Sequence, residues 1–179
     1  MKSRNVLILP GWQGSGPQHW QSLWQAQQGF QRVDQHDWLH PLRGDWIARL
    51  EDVLLSADEP VVLVAHSLGC VLVAAWASHT RHAHRVKAAL LVAPGDVERE
   101  ALRPVLASWS PVPLQPLPFT STLVASQDDP YCSFERAQSF AAAWGSTLVN
   151  AGTVGHINAD SGLGDWPQGQ ALLSALIHS

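Results

Sequence analysis

The chain has 179 residues, a length that suits one domain, and we expect that domain to span residues 1–179. Its formal net charge is −4 and its 11 Lys and Arg residues are scattered, which argues against a nucleic-acid partner because phosphate binding needs a basic face. Apolar residues make up 46% of the chain and charged residues 15%, a globular composition that favours a sheet buried on both sides.

The N-terminal residues lead directly into a short apolar run at residues 6–9, which Pro10 ends. The run is too short for the core of a signal peptide or for a membrane span, so we predict a cytoplasmic protein with no membrane partner. Because it is apolar on both faces, it is typical of a strand inside a parallel sheet. The two cysteines, Cys70 and Cys132, cannot form a disulfide framework and are interpreted as reduced thiols.

A glycine-rich loop follows this first strand and contains Gly11, Gly14 and Gly16. Such a loop can bind phosphate, but Pro17 and the next residue stand where that motif needs Lys and Ser or Thr. A dinucleotide fingerprint would need its third glycine at the position of His19. Nucleotide binding is therefore disfavoured, and we predict no cofactor.

Apolar residues at helical spacing predict a first helix over residues 17–28 and a second helix that begins with Asp45 as its N-cap. A short strand is predicted between them at residues 30–33. Further along, three histidines cluster within residues 79–84, where the chain has neither a carboxylate nor a cysteine. We interpret them as side chains that offset a helix dipole, and we predict no metal site.

The central feature of the chain is a buried strand at residues 61–65 that turns at Ser67 into a helix of small residues. Ala65 and Gly69 flank the serine two positions away on each side. This is the pattern of a nucleophile elbow, in which strand and helix pass so close that large flanking side chains would clash. The alternative interpretation is that the serine is an ordinary helix N-cap.

The later elements continue the alternation of strand and helix. A proline-rich stretch at residues 94–118, with at most one helical segment near residues 97–108, is too short for an elaborate lid and predicts a partly open site. The alternation predicts a parallel sheet of about six strands in a three-layer α/β/α fold. We expect the remaining strands at residues 86–93, 120–126 and 147–149, and the remaining helices at residues 133–144 and 166–177.

Three polar residues stand in the contexts that serine hydrolysis requires. A serine hydroxyl needs an imidazole as base, and the imidazole needs a carboxylate, in the chain order serine, acid, histidine. The sequence offers Ser67, then Asp128 or Asp129 after a strand, then His156 after the last strand. Asp128 and Asp129 could simply belong to a turn before Pro130, and His156 could be a surface residue. His66 is too close to the serine along the turn to act as its base.

These motifs resemble the small serine hydrolases typified by retinoblastoma-binding protein nine and its bacterial relatives. The resemblance rests on Pro10-Gly11-Trp12, on His19-Trp20 with Trp24, and on residues 65–69, 128–131 and 155–158. It implies a compact α/β-hydrolase without a large cap, and it implies hydrolysis of small esters or amides. It also implies Ser67 as nucleophile, His156 as base and Asp129 as acid, with Asp128 in reserve.

We therefore predict an enzyme that cleaves small carboxylic esters or amides through an acyl-enzyme on Ser67. The backbone N–H groups of Trp12 and Leu68 are the expected oxyanion donors. Two other classes stay open: an inactive hydrolase-fold protein that acts as an interaction module, and a flavodoxin-like nucleotide-binding domain. The complete set of three residues counts against the first class, and the missing lysine after Gly16 counts against the second.

Overall fold

Six parallel strands form one sheet in the structure, a computed structural model that describes residues 5–179. This confirms the predicted parallel sheet of about six strands. Residues 1–4, part of the N-terminal stretch used to predict the cellular location, lie outside the described residues. The strands are β1 (Val6–Leu9), β2 (Gln31–Arg32), β3 (Val61–His66), β4 (Val86–Val92), β5 (Thr120–Ala125) and β6 (Thr147–Asn150). They lie in the order β2-β1-β3-β4-β5-β6 across the sheet.

Helices cover both faces of this sheet. The helices are α1 (Trp20–Gln28), α2 (Arg43–Ser56), α3 (Leu68–Ala77), α4 (Arg103–Leu106), α5 (Phe134–Trp144) and α6 (Pro167–His178). Side chains alternate along each strand, so that Leu63 joins a core with α2, α3 and α5, whereas its neighbour Val64 joins a core with α1 and α6. The predicted three-layer arrangement is therefore confirmed. Within residues 5–179, no helix has the length and apolarity needed to cross a membrane.

Two helix starts differ from the sequence-based prediction. Helix α1 begins at Trp20 because His19 is its N-cap, with Nδ1 accepting the backbone N–H of Gln21 at 3.1 Å. The prediction that Asp45 caps α2 is wrong, since α2 begins two residues earlier at Arg43 and has no side-chain cap. Asp45 lies in the first turn, where its negative charge still interacts favourably with the helix dipole.

The proline-rich connection between β4 and β5 contains α4 with a short 3₁₀ turn on each side rather than one continuous helix. Trp109 fixes it to the body of the protein: its side chain is fully buried, and its Nε1–H donates to the Pro41 carbonyl at 2.9 Å. The connection passes the carboxyl ends of the strands and contributes Leu102 and Leu106 to the cavity there.

Candidate active site

Ser67 lies on a sharp turn between β3 and α3, with φ 54° and ψ −120°. A positive φ at a residue other than glycine costs on the order of 1–3 kcal/mol, so the surroundings must hold the turn. The Ser67 N–H donates to the Val92 carbonyl of β4 at 3.0 Å. Gly69 lets α3 approach β1, because a β-carbon there would lie 2.4 Å from the Leu9 carbonyl oxygen. The turn therefore presents the serine hydroxyl at the carboxyl edge of the sheet.

His156 lies between Ser67 and Asp129. Its Nε2 is 2.9 Å from the serine Oγ, and its Nδ1 is 2.8 and 2.9 Å from the two carboxylate oxygens of Asp129. The two side chains are well shielded, with 9% of His156 and 3% of Asp129 exposed. Because an ionised carboxylate can only accept, Nδ1 carries the proton and Nε2 is free to accept the serine proton. The three residues proposed from the sequence are thus brought together.

Asp128 has a different set of contacts. Its carboxylate is exposed, and one oxygen accepts the Ser126 hydroxyl at 2.7 Å and the Gly155 N–H at 2.8 Å. These two hydrogen bonds, first that from Ser126, hold the pKa of Asp128 below its usual range. Asp129 therefore contacts the imidazole, whereas Asp128 contacts the backbone just before the histidine.

A cavity of about 350 Å³ opens in front of the serine hydroxyl. Val97, Leu102 and Leu106 give the cavity an apolar wall, and Tyr131 also lines the cavity, with its ring 4.6 Å from that of His156. Among the described residues that line the cavity there is no lysine, arginine, aspartate or glutamate. The cavity is thus suited to an uncharged group next to the hydroxyl.

The glycine-rich loop after β1 lies against the elbow. A β-carbon on Gly11 would be 2.8 Å from the Ser67 β-carbon and 3.3 Å from the Leu68 backbone nitrogen, so only glycine fits there. Within residues 5–179, the N–H groups of Trp12 and Leu68 donate to no other group, and both residues line the cavity. Leu68 is the first residue of α3, where a backbone N–H has no partner inside the helix.

Comparison with known proteins gives the family of this chain. The family model described as serine hydrolase matches residues 6–175. The chain belongs to the serine hydrolase family. None of the curated proteins compared with the chain matched it.

Solved structures share the fold of this serine hydrolase. It is similar to a YdeN-like hydrolase of Pectobacterium atrosepticum, with 31% identity, a TM-score of 0.85, and coverage of 96% of this chain and 89% of the other. The ydeN product of B. subtilis is 20% identical, with a TM-score of 0.76 and coverage of 98% and 100%. Est1E of Butyrivibrio proteoclasticus, solved with ferulic acid, is 13% identical, with a TM-score of 0.73 and coverage of 97% and 89%. The last two similarities concern the fold alone.

Two further histidines of the serine hydrolase lie next to His156. The ring of His66 is 4.8 Å from that of His156, and the ring of His19 is 4.7 Å from that of His66. Burial lowers the pKa of His19 to about 4, assisted by the charges of Arg32 and His156. Burial also holds the pKa of His66 well below its usual range, assisted by His156 and His19. Both rings are therefore neutral near pH 7.

The two thiols of the serine hydrolase are poor nucleophiles. Burial raises the pKa of Cys70 far above its usual range. Burial also raises the pKa of Cys132 to about 12, with Asp96 and Asp129 adding to the effect. A thiolate is the reactive form of cysteine, so neither residue is suited to act as a nucleophile.

Sequence reasoning missed the apolar wall of the cavity. Leu102 ends a three-residue 3₁₀ turn and Leu106 ends the four-residue helix α4, and neither element is long enough to show a hydrophobic period. The proline content of the segment indicated only that no long helix could form. The contact of His66 with the backbone of residue 156 was also missed, since it joins residues 90 positions apart.

Proposed function

We propose that this serine hydrolase cleaves small carboxylic esters or amides through an acyl-enzyme formed on Ser67. The observation that supports this most directly is the continuous set of hydrogen bonds from Asp129 through His156 to Ser67, at 2.8 and 2.9 Å, at the floor of a cavity. A serine hydroxyl becomes nucleophilic when such a base accepts its proton.

In the proposed reaction the Ser67 oxygen attacks the substrate carbonyl carbon while its proton passes to Nε2 of His156. The tetrahedral intermediate collapses when the imidazolium returns that proton to the leaving alcohol or amine. Water then attacks the acyl carbon, losing a proton to the same nitrogen, and the second collapse releases the carboxylic acid and the free serine. Asp129 holds the imidazole in the productive tautomer and stabilises the imidazolium.

The negative oxygen of each intermediate is proposed to accept hydrogen bonds from the backbone N–H groups of Trp12 and Leu68. Two features support this assignment: both groups lie beside the elbow, and neither has another acceptor within residues 5–179. Loss of one such donor typically costs about 3 kcal/mol of transition-state stabilisation.

The cavity supports a small, uncharged acyl group as the preferred substrate part. Its volume of about 350 Å³ lies at the lower end of ligand sites, and its apolar wall removes hydrocarbon from water. A charged acyl chain would lose its hydration without gaining an opposite charge from the lining residues.

A fluorophosphonate probe tests the nucleophile directly, because it phosphonylates an activated serine and leaves a mass increment on one peptide. We expect the wild-type protein to be labelled at Ser67 and the Ser67→Ala variant to remain unlabelled. Ser121→Ala is the matched control, since Ser121 is buried at a distant position on β5 and bonds to Ser146. A folded wild-type protein that resists the probe, or labelling that survives Ser67→Ala, contradicts the proposal.

Turnover of short p-nitrophenyl esters separates this proposal from an interaction module on the same fold. We expect measurable hydrolysis of the acetate ester and its loss in His156→Ala. A full rate in that variant contradicts the assignment of the base. No hydrolysis of any ester in the panel by a folded wild-type protein favours the interaction module.

A further inference from the structure

The loop that carries His156 is held by two buried side chains outside the set of three residues. Nε2 of His66 is 2.9 Å from the backbone carbonyl of His156, and Nε1 of Trp20 is 2.8 Å from the carbonyl of Ile157. A carbonyl oxygen can only accept, so both nitrogens donate. Only 5% of His66 and 1% of Trp20 is exposed. Two successive carbonyls of the loop are thus bound from β3 and from α1.

The backbone held in this way is strained. Ile157 is fully buried and has φ 48°, a conformation that a β-branched residue rarely adopts. Gly155, on the other side of the histidine, has φ 63°. Strained backbone persists only where surrounding contacts over-determine it. The bond from Trp20 acts directly on the strained residue, and the bond from His66 acts on the histidine before it.

The bond from His66 also joins the base to the elbow a second time. His66 immediately precedes Ser67, so residue 156 contacts the elbow through its ring, 2.9 Å from the serine Oγ, and through its carbonyl, 2.9 Å from the His66 ring. In the proposed reaction the hydrogen bond between the His156 ring and the serine oxygen is broken when the ring passes its proton to the leaving group. The carbonyl contact takes no part in that proton transfer, because it joins the backbone of residue 156 to a ring that does not touch the serine hydroxyl.

We propose that His66 and Trp20 are positioning residues, which keep the imidazole of His156 within reach of the serine hydroxyl throughout the reaction. The inference rests on the proposed role of His156 as base. Neither side chain exchanges a proton with the substrate, so their loss reduces the fraction of bound complexes that react. The effect therefore falls on kcat and leaves KM nearly unchanged.

Two tryptophans of α1 give a matched test. Trp20→Phe removes the bond to the base loop, whereas Trp24→Phe removes a bond of the same kind to the Asp165 carbonyl, at 2.6 Å. Both side chains are buried in the same core and lose the same atoms. With p-nitrophenyl acetate we expect kcat to fall about tenfold in Trp20→Phe with KM within about twofold, and both constants to stay within about twofold in Trp24→Phe.

A second pair of variants tests the elbow residue. His66→Gln keeps an amide N–H within reach of the His156 carbonyl, whereas His66→Leu removes the donor at similar size. We expect His66→Leu to lose about tenfold in kcat and His66→Gln to recover most of that loss. Melting temperatures identify variants that do not fold. If His66→Leu does not fold, the comparison of Trp20→Phe with Trp24→Phe tests the proposal.

Three results overturn the inference: equal kcat values in Trp20→Phe and Trp24→Phe, a wild-type kcat in folded His66→Leu, or an equal loss in both His66 variants. Failure of the proposed function is a separate result, because it appears as a full rate in His156→Ala or as an unlabelled Ser67. If the wild-type enzyme depends on His156 while the positioning variants keep their kcat, only the positioning roles are refuted.

Discussion

The adjacent aspartates give the sharpest prediction, because one substitution can be made at two neighbouring positions with different contacts. In Asp129→Asn an amide NH₂ can face Nδ1 of His156, which favours the imidazole tautomer whose proton sits on Nε2. In the proposed mechanism Nε2 is the atom that accepts the proton of Ser67, whose Oγ is 2.9 Å away. Loss of the productive tautomer lowers kcat by about 10⁴-fold, or roughly 5 kcal/mol of activation free energy.

Asp128→Asn keeps the oxygen that accepts the Gly155 N–H and the Ser126 hydroxyl. It loses only the charge on that acceptor, at an exposed position where solvent screens it. We expect kcat to fall less than about tenfold, so the kcat values of the two variants should differ by at least about 10³-fold. Steady-state hydrolysis of p-nitrophenyl acetate measures the difference, with melting temperatures as the check on folding. Equal retention of activity would refute the division of roles between the two carboxylates.

Three further predictions concern stability and specificity. Since the pKa of His19 is about 4 in the folded state and 6.5 when unperturbed, the unfolded chain binds the extra proton and stability is lost as pH falls through this window. The variant His19→Asn keeps a side-chain acceptor at the N-cap but has no group that titrates there. Urea unfolding near pH 7 and near pH 4 should show that its free energy of unfolding falls about 3 kcal/mol less than that of the wild type. Gly69→Ala should lower the free energy of unfolding by more than about 3 kcal/mol, whereas Gly44→Ala, in open space on α2, should raise it slightly. Similar melting temperatures in the two variants would contradict the close approach of α3 to β1 at the elbow. Leu102→Trp should reduce hydrolysis of p-nitrophenyl hexanoate about tenfold more than that of the acetate, and an equal effect on both esters would place the acyl group elsewhere.

Much of the fold could be predicted because its signals are local. The strand before Ser67 is a continuous apolar run, and the small residues Ala65 and Gly69 mark the turn after it. The apolar spacing predicts helix α2, but Asp45 indicates a start two residues later than the observed one at Arg43. Many residues can stand at an N-cap, and the first turn also accepts an aspartate. Such boundaries depend on tertiary contacts that a local pattern does not contain.

The candidate site shows the same division between local and long-range information. Chain order predicted that Ser67, an aspartate and His156 would meet, and the structure brings Asp129 to the imidazole. The spacing alone leaves Asp128 as an alternative. The conformation of the turn decides which of the two adjacent carboxylates faces the imidazole, and the sequence does not give that conformation. The buried contact of His66 with the backbone of His156 depends on packing between distant segments, and no sequence motif predicts it.

The wall of the cavity and the reacting groups occupy separate stretches of the polypeptide. The reacting groups stand on turns at strand ends, which the sheet fixes, whereas Leu102 and Leu106 belong to a tethered excursion outside the sheet. Trp109, three residues after Leu106, anchors that excursion to the Pro41 carbonyl. If the proposed function holds, exchange of residues along the excursion can change which acyl groups fit the cavity without altering the residues that react. Substrate preference and catalysis could then evolve independently of each other in this fold.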